Sequence, residues 1–328
     1  MRDFRYTRAS DIDSAVRAGR SSNAKFVAGG TNLIDLMKGA VEQPEELIDV
    51  SRLPLDRIEP LVDGGLRIGA AVKNSDAAAH PLVRDRYPLL SQALLAGASA
   101  QLRNMASMGG NLLQRTRCHY FYDTAFKACN KRSPGSGCAA LEGERRMHAI
   151  LGASERCIAV HPSDMAVALA ALDAVVRVRG AASERTLPAA EFHRLPGDTP
   201  ERDTNLEHGE LITAIELPAS RFGANAHYLK IRDRASYAFA LVSVAAALDM
   251  QDGRVRQARI ALGGVAHKPW RARRSEEMLA GKSLDASALR AAAEAALLDA
   301  KPYPDNAFKV ELAKRAIVRA VLVAGGAA

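Results

Sequence analysis

Four cysteines are the residues here best equipped for chemistry. Cys118, Cys129, Cys138 and Cys157 are spaced C-x10-C-x8-C-x18-C, and the rest of the 328-residue chain contains none. Thiols that only fill a core scatter along a sequence, whereas four gathered in one stretch can meet at one point. Four thiolates satisfy a [4Fe–4S] cluster or a structural zinc ion, and the same count allows two disulfides. The spacing lacks both the short C-x2-C pairs usual for zinc and the compact ferredoxin runs. On the cysteines alone, an iron–sulfur cluster, zinc, disulfides and free thiols all stay open. Disulfides need an oxidising compartment, and a chain of this length buries a core without them.

Two glycine turns precede the cysteines. Ala28-Gly29-Gly30-Thr31-Asn32 follows a short apolar stretch at Lys25–Ala28 and leads into a helical pattern over Leu33–Lys38. A strand–Gly-Gly–helix sequence aims backbone N–H groups and a helix N-terminus at a phosphate, because glycine lets the backbone approach closely. Thr31 and Asn32 add side-chain donors. Ser107-Met108-Gly109-Gly110-Asn111 is a second such turn, and two of them can share one pyrophosphate. One Gly-Gly pair alone is usually an ordinary tight turn. Neither stretch is G-x-G-x-x-G or G-x-x-x-x-G-K-[ST], so a standard Rossmann dinucleotide site and a P-loop are not supported. Together with the cysteines, the turns point to a redox protein with a metal site beside a phosphate-bearing cofactor.

The elements that must hold these residues follow from periodicity and turn chemistry. Strands are expected at 46–50, 66–72, 174–178, 228–232, 239–250 and 254–263, and helices at 76–80 (N-capped by Ser75), 89–98, after Pro162, 287–300 and 306–323. Residues 115–156 are rich in Arg, Lys, Gly and Cys and lack a period, so they read as an inserted loop ordered by a cofactor. A boundary is expected at 221–225, giving a first domain at 1–222 and a smaller α+β domain at 223–328.

Composition is that of an ordinary soluble protein, with 48% hydrophobic and 25% charged residues. The longest apolar run, Ala238–Leu248, is too short to span a bilayer. A net charge of +8 invites a basic iron–sulfur protein that binds nucleic acid, but the arginines are dispersed and aromatic residues make up only 5%. A solvated surface, able to meet an acidic partner protein, is the better expectation. The N-terminus shows no apolar leader, which predicts a cytoplasmic chain unless a signal-bearing partner carries it to the periplasm.

The ordered set of motifs resembles a known family. Phe26-Val27-Ala28-Gly29-Gly30-Thr31-Asn32-Leu33-Ile34 resembles the first FAD pyrophosphate loop of the FAD-binding subunits of molybdenum hydroxylases, the xanthine dehydrogenase and carbon monoxide dehydrogenase relatives. Leu102–Leu112 resembles their second FAD loop, and His161-Pro162-Ser163-Asp164-Met165 their serine–aspartate segment. Leu211–Pro218 and Tyr228–Arg232 are similar to the end of their flavin domain and the start of their C-terminal domain. The insertion at 115–160 departs from most members. It resembles the subgroup of bacterial, periplasmic-type aldehyde oxidoreductases whose flavin subunit also holds a [4Fe–4S] cluster, on the stretches 117–123, 129–138 and 147–152.

The resemblance implies an α+β fold: a two-lobed FAD-binding domain of the vanillyl-alcohol-oxidase type (lobes at about 1–55 and 56–222), then the C-terminal domain. It implies that Val27, Ala28, Gly29, Gly30, Thr31, Asn32 and Leu33 wrap the FAD pyrophosphate, opposite Ser107, Gly110 and Asn111. Asp164 would accept from cofactor hydroxyls, although a helix N-terminal carboxylate is its plain alternative. Ile212 would lie against the isoalloxazine and Lys230 near the cofactor, unless Lys230 is a surface lysine. Cys118, Cys129, Cys138 and Cys157 would hold the cluster as relay, store or staple. His119, beside Cys118, would tune the cluster or simply pack, and no residue is assigned as a catalyst. Electrons would arrive from the [2Fe–2S] centres of a small subunit, substrate oxidation taking place on a large molybdenum subunit, and leave to an external acceptor. A self-contained FAD oxidase of the same fold is the other flavin reading.

Overall fold

The structure is a computed structural model that describes residues 1–326. Strands β1 (Arg5–Arg8), β2 (Ala24–Val27) and β3 (Glu46–Asp49) form a parallel sheet in the order β1-β3-β2. Parallel neighbours need crossovers, and helices Ile12–Gly19 and Leu33–Lys38 supply them. The first is started by Asp11, whose carboxylate accepts from Ser14 N at 2.7 Å while Ser14 Oγ takes Asp11 N at 3.1 Å. It buries Ala15 and Val16 against Ile48 and Leu53. This crossover arrangement leaves residues 28–32 at the carboxyl end of β2, where ligands of α/β sheets are found.

A second, antiparallel sheet runs β4-β5-β8-β6-β7, from β4 (Ile58–Pro60), β5 (Leu66–Gly69), β6 (Val175–Arg179), β7 (Glu184–Pro188) and β8 (Leu211–Leu217). Helices Pro88–Ala96 and Asp164–Ala171 contribute to its core, the latter buried on every side. A bulge at Arg177/Val178 skips Thr213 in the β6 register; its Oγ1 donates to Arg177 O at 3.4 Å and its carbonyl accepts from Ala70 N at 2.9 Å.

The third sheet, β12-β11-β10-β9, is built from β9 (Ala226–Ile231), β10 (Val242–Gln251), β11 (Arg254–Gly263) and β12 (Trp270–Arg271). The β10–β11 hairpin turns through Asp252 and Gly253, both at positive φ (51° and 72°), the Asp-Gly sequence suited to that turn. Val242, Val244, Ala246 and Leu248 face helices Ala286–Ala296 and Phe308–Ala324, while Ala245 and Ala247 pack into the core of the second sheet. The apolar run therefore becomes, from Val242 on, a strand covered on both faces. Among the described residues no helix is long and apolar enough to cross a membrane.

The α+β class and the two-lobed first part with a smaller C-terminal part are as expected. Several local expectations needed correction. Ser75 is no N-cap: the helix already begins at Asn74, after Lys73. The strand expected from 239 begins at Val242, and the helix expected to reach 300 ends at Ala296. Residues 115–160 hold only a short helix at His119–Tyr122 and a 3-10 turn at Ala139–Leu141, in keeping with an irregular insertion.

Candidate functional site

The two glycine turns are built against each other. Gly29 is required because a Cβ there would run into the Met105 carbonyl, and Gly30 sits at φ +69°. The second turn hangs from the end of β5: Asn74 N donates to Ala106 O, Met108 N to Val72 O and Gly109 N to Ala70 O, each at 2.9 Å. Ala70 is the residue tied to the Thr213 bulge, so the second sheet positions both turns. Ser107 caps the helical turn Met108–Leu112, its Oγ accepting from Gly110 N at 3.2 Å. Among the described residues, Gly29, Gly30, Thr31 and Asn32 donate no backbone hydrogen bond within the chain. Four adjacent free donors on a glycine turn fit a phosphate.

The remaining predicted cofactor residues divide. Val27 closes β2 and Leu33 opens the following helix. Asn111 Oδ1 accepts from Ser163 Oγ at 2.6 Å, and Ser163 also caps helix Asp164–Ala171 by accepting from Ala166 N at 3.0 Å. That link joins the second turn to Asp164. Asp164 is buried, its Oδ1 taking Tyr228 OH and its Oδ2 taking Lys230 Nζ, both at 2.7 Å. Lys230 is thus no surface lysine: its side chain is 4% exposed and also donates to Ala96 O at 3.1 Å. Burial, with the Asp164 carboxylate second, pushes the Tyr228 hydroxyl well above its ordinary value, so it stays a donor. Asn32 is committed to the insertion, with Nδ2 donating to Tyr122 OH at 3.0 Å and Oδ1 accepting from Arg115 N at 2.8 Å. Ile212 is buried in the second sheet's core.

All four cysteines line one cavity of about 290 Å³. All four are free cysteines. Nearby backbone N–H groups favour the charged sulfurs: those of Phe121 and Tyr120 at Cys118, of Ala140, Ile158 and Leu141 at Cys138, and of Ala159 at Cys157. Burial pushes the Cys118 thiol up to about 12 and the Cys157 thiol to about 11, and raises Cys138 as well. Burial therefore favours the neutral thiols over the thiolates here. Among the described residues, no three His, Cys, Asp or Glu side chains are grouped to hold a single metal ion. A larger pocket of about 840 Å³ adjoins, lined by Cys118, His148, His161, Asp164 and Phe239, so it runs from the cysteine region to the Asp164–Lys230 pair.

Comparison with known proteins decides the family. Residues 2–220 match the FAD binding domain in molybdopterin dehydrogenase, and residues 226–326 match the CO dehydrogenase flavoprotein C-terminal domain. The chain belongs to the FAD-binding subunits of molybdopterin dehydrogenases. This flavin subunit is 53% identical over 319 residues to the aldehyde oxidoreductase FAD-binding subunit PaoB of Escherichia coli, covering 97% of this chain and 96% of that one. It is 27% identical to the carbon monoxide dehydrogenase medium chain of Hydrogenophaga pseudoflava, covering 97% and 96%. Among solved structures, the Hydrogenophaga pseudoflava carbon monoxide dehydrogenase lacking the Mo-pyranopterin moiety superposes with a TM-score of 0.77 at 27% identity, covering 99% of this chain and 98% of that one. Quinoline 2-oxidoreductase from Pseudomonas putida 86 gives 0.76 at 26%, with the same coverage. The flavin subunit is therefore a medium subunit of an oxidoreductase.

Sequence reading missed the charged residues that fasten its insertion. Lys131, buried beside the cysteine cavity, donates to Pro200 O at 2.8 Å and pairs with Asp203, which also meets Arg115 Nε at 2.6 Å. Burial alone would raise the Asp203 carboxyl, but Lys131 and Arg115 hold it well below the usual range. Arg115 reaches back to Glu42 of the first lobe. From the other side, fully buried Lys309 donates to His148 O at 2.8 Å and to Gly264 O. One signal for Lys309 was present: it lies in register with buried Ala313, Ala316 and Ala320 on one helix face. His119 is not the histidine at the thiols. His148 is, with Nε2 at 3.2 Å from Cys118 Sγ.

Proposed function

We propose that this chain is the electron-transferring flavin subunit of a molybdenum-dependent aldehyde oxidoreductase, holding FAD on its two glycine turns and a [4Fe–4S] cluster on Cys118, Cys129, Cys138 and Cys157. The observation that carries the cluster is the convergence of all four cysteines, from an otherwise irregular insertion, on one cavity lined by backbone N–H groups. The 53% identity to the aldehyde oxidoreductase subunit supports an aldehyde as the substrate of the whole complex. A molybdenum large subunit and a [2Fe–2S] small subunit are the partners, and an external acceptor takes the electrons.

When bound, FAD supplies the interconversion of one- and two-electron transfer, and the cluster supplies a one-electron site. The chain's own residues bind and orient. Free N–H groups of Gly29, Gly30, Thr31 and Asn32 would hold the pyrophosphate, with Ser107, Gly110 and Asn111 as the opposite wall. Asp164 keeps its carboxylate fixed by Tyr228 and Lys230 while retaining lone pairs for cofactor hydroxyls. Lys131 places a positive charge near Cys157, lowering the cost of a thiolate there.

Anaerobic purification with assay of acid-released flavin, iron and sulfide tests the reading. The expected content is about one FAD, four irons and four sulfides per chain. Flavin without iron would sink the cluster and leave the flavin subunit standing; neither group in a folded chain would sink both.

A further inference from the structure

Resting on the cluster reading above, we infer that His148 donates its Nε2–H to the Cys118 sulfur and so raises the reduction potential of the cluster that Cys118 helps to hold. The contact is 3.2 Å long, and the imidazole is buried. Its other ring nitrogen, Nδ1, is buried with no partner among the described residues. An imidazole always carries at least one ring N–H, and here a proton finds an acceptor only through Nε2. The backbone holds the ring in place: His148 N donates to Arg145 O at 2.8 Å, and its carbonyl takes Lys309 Nζ at 2.8 Å.

Backbone N–H groups lie near the sulfurs of Cys118, Cys138 and Cys157, and Cys118 has this side chain at its sulfur as well. Cys118 is also the cysteine that lines the large pocket reaching Asp164. The side-chain donor therefore acts on the sulfur facing the proposed flavin side. Hydrogen bonds to ligand sulfurs stabilise the reduced, more negative state of a cluster and raise its potential. His148 is a positioning and tuning residue, touching a ligand sulfur and no substrate.

The test is an EPR-monitored redox titration of the anaerobically purified complex containing the full chain. His148→Leu, which cannot donate, is expected to move the cluster midpoint to more negative potential while the flavin midpoint stays in place. His148→Gln, which carries an N–H, is expected to recover part of the shift. An unchanged midpoint in a cluster-loaded His148→Leu complex overturns the inference. Where that variant loses its cluster, wild type labelled with 15N-histidine decides: pulsed EPR of the reduced cluster should show one imidazole nitrogen and one exchangeable proton, and the absence of both couplings overturns it. Wild type without iron overturns the cluster reading itself, and this inference with it.

Discussion

The glycine turns and the cysteine insertion are neighbours built on opposite plans. Each glycine turn is held by regular structure within the first 220 residues: a parallel crossover, a bulge at Thr213, an N-cap at Ser107. The insertion has almost no regular structure, and its outside fastenings include Glu42, Asp203 and Lys309. The turns are complete without a ligand apart from a few free N–H groups. The insertion buries its cysteines where burial favours the neutral thiol over the thiolate. One region presents free donors to a ligand; the other is held from outside by ion pairs and buried hydrogen bonds.

That contrast predicts separable losses. The largest effect belongs to Cys138→Ser, which removes one ligand from the buried set. Iron should fall from about four per chain to nearly none, while FAD stays near full occupancy because its turns hang chiefly from the sheets, although Asn32 also bonds the insertion. Iron and flavin assays on one preparation read both numbers. Joint loss of FAD would show that the cluster organises the whole molecule.

The reciprocal change is Gly29→Ala. Its methyl group would press on the Met105 carbonyl, forcing apart two backbones that share the proposed pyrophosphate, at a cost of about 1–3 kcal/mol. FAD affinity should drop by about tenfold or more, taking 1.4 kcal/mol per tenfold, with iron content intact. Titration of flavin-stripped protein with FAD measures it. Unchanged affinity would remove the first turn from the flavin site.

How far the sequence foretold each region follows the same division. The glycine turns were legible because glycine before a helix has a specific backbone reason, and the turns fell on short, strongly patterned elements. The gathered cysteines were legible as a set. What escaped was the packing around them. Arg115, Lys131 and Asp203 look like solvated charges in a chain of net charge +8, and only the fold shows them paired in the interior. His119 stands next to Cys118 and lines the same pocket, but the ring nitrogen at 3.2 Å from the Cys118 sulfur belongs to His148. The run at 238–248 was legible as a strand, with its start read at 239 instead of Val242, because a strand covered on both faces shows no alternation to mark its edge. Ile212 was placed by resemblance, and the strand that buries it in the core went unread.

The smallest predicted effect concerns Lys309, the fastening between the C-terminal helix and the insertion. Burial pulls its ammonium down from an ordinary 10.5 to about 7, and the carbonyls of His148 and Gly264 compensate only in part. Below about pH 7 the amine is protonated in both folded and unfolded chains, and the cost of burying the charge is fully present. Between about 7 and 10.5 the unfolded chain holds a proton that the folded chain has shed, so stability rises with pH across that window. Lys309→Met has no proton to shed. Denaturant unfolding of wild type and variant from pH 7.5 to 9.5 should therefore show wild type gaining on the variant, by at most about 1.4 kcal/mol per pH unit. A flat difference would mean that two carbonyls suffice to keep the ammonium charged in the interior. The insertion would then be pinned by a permanent cation, and the contrast with the self-sufficient glycine turns would be sharper still.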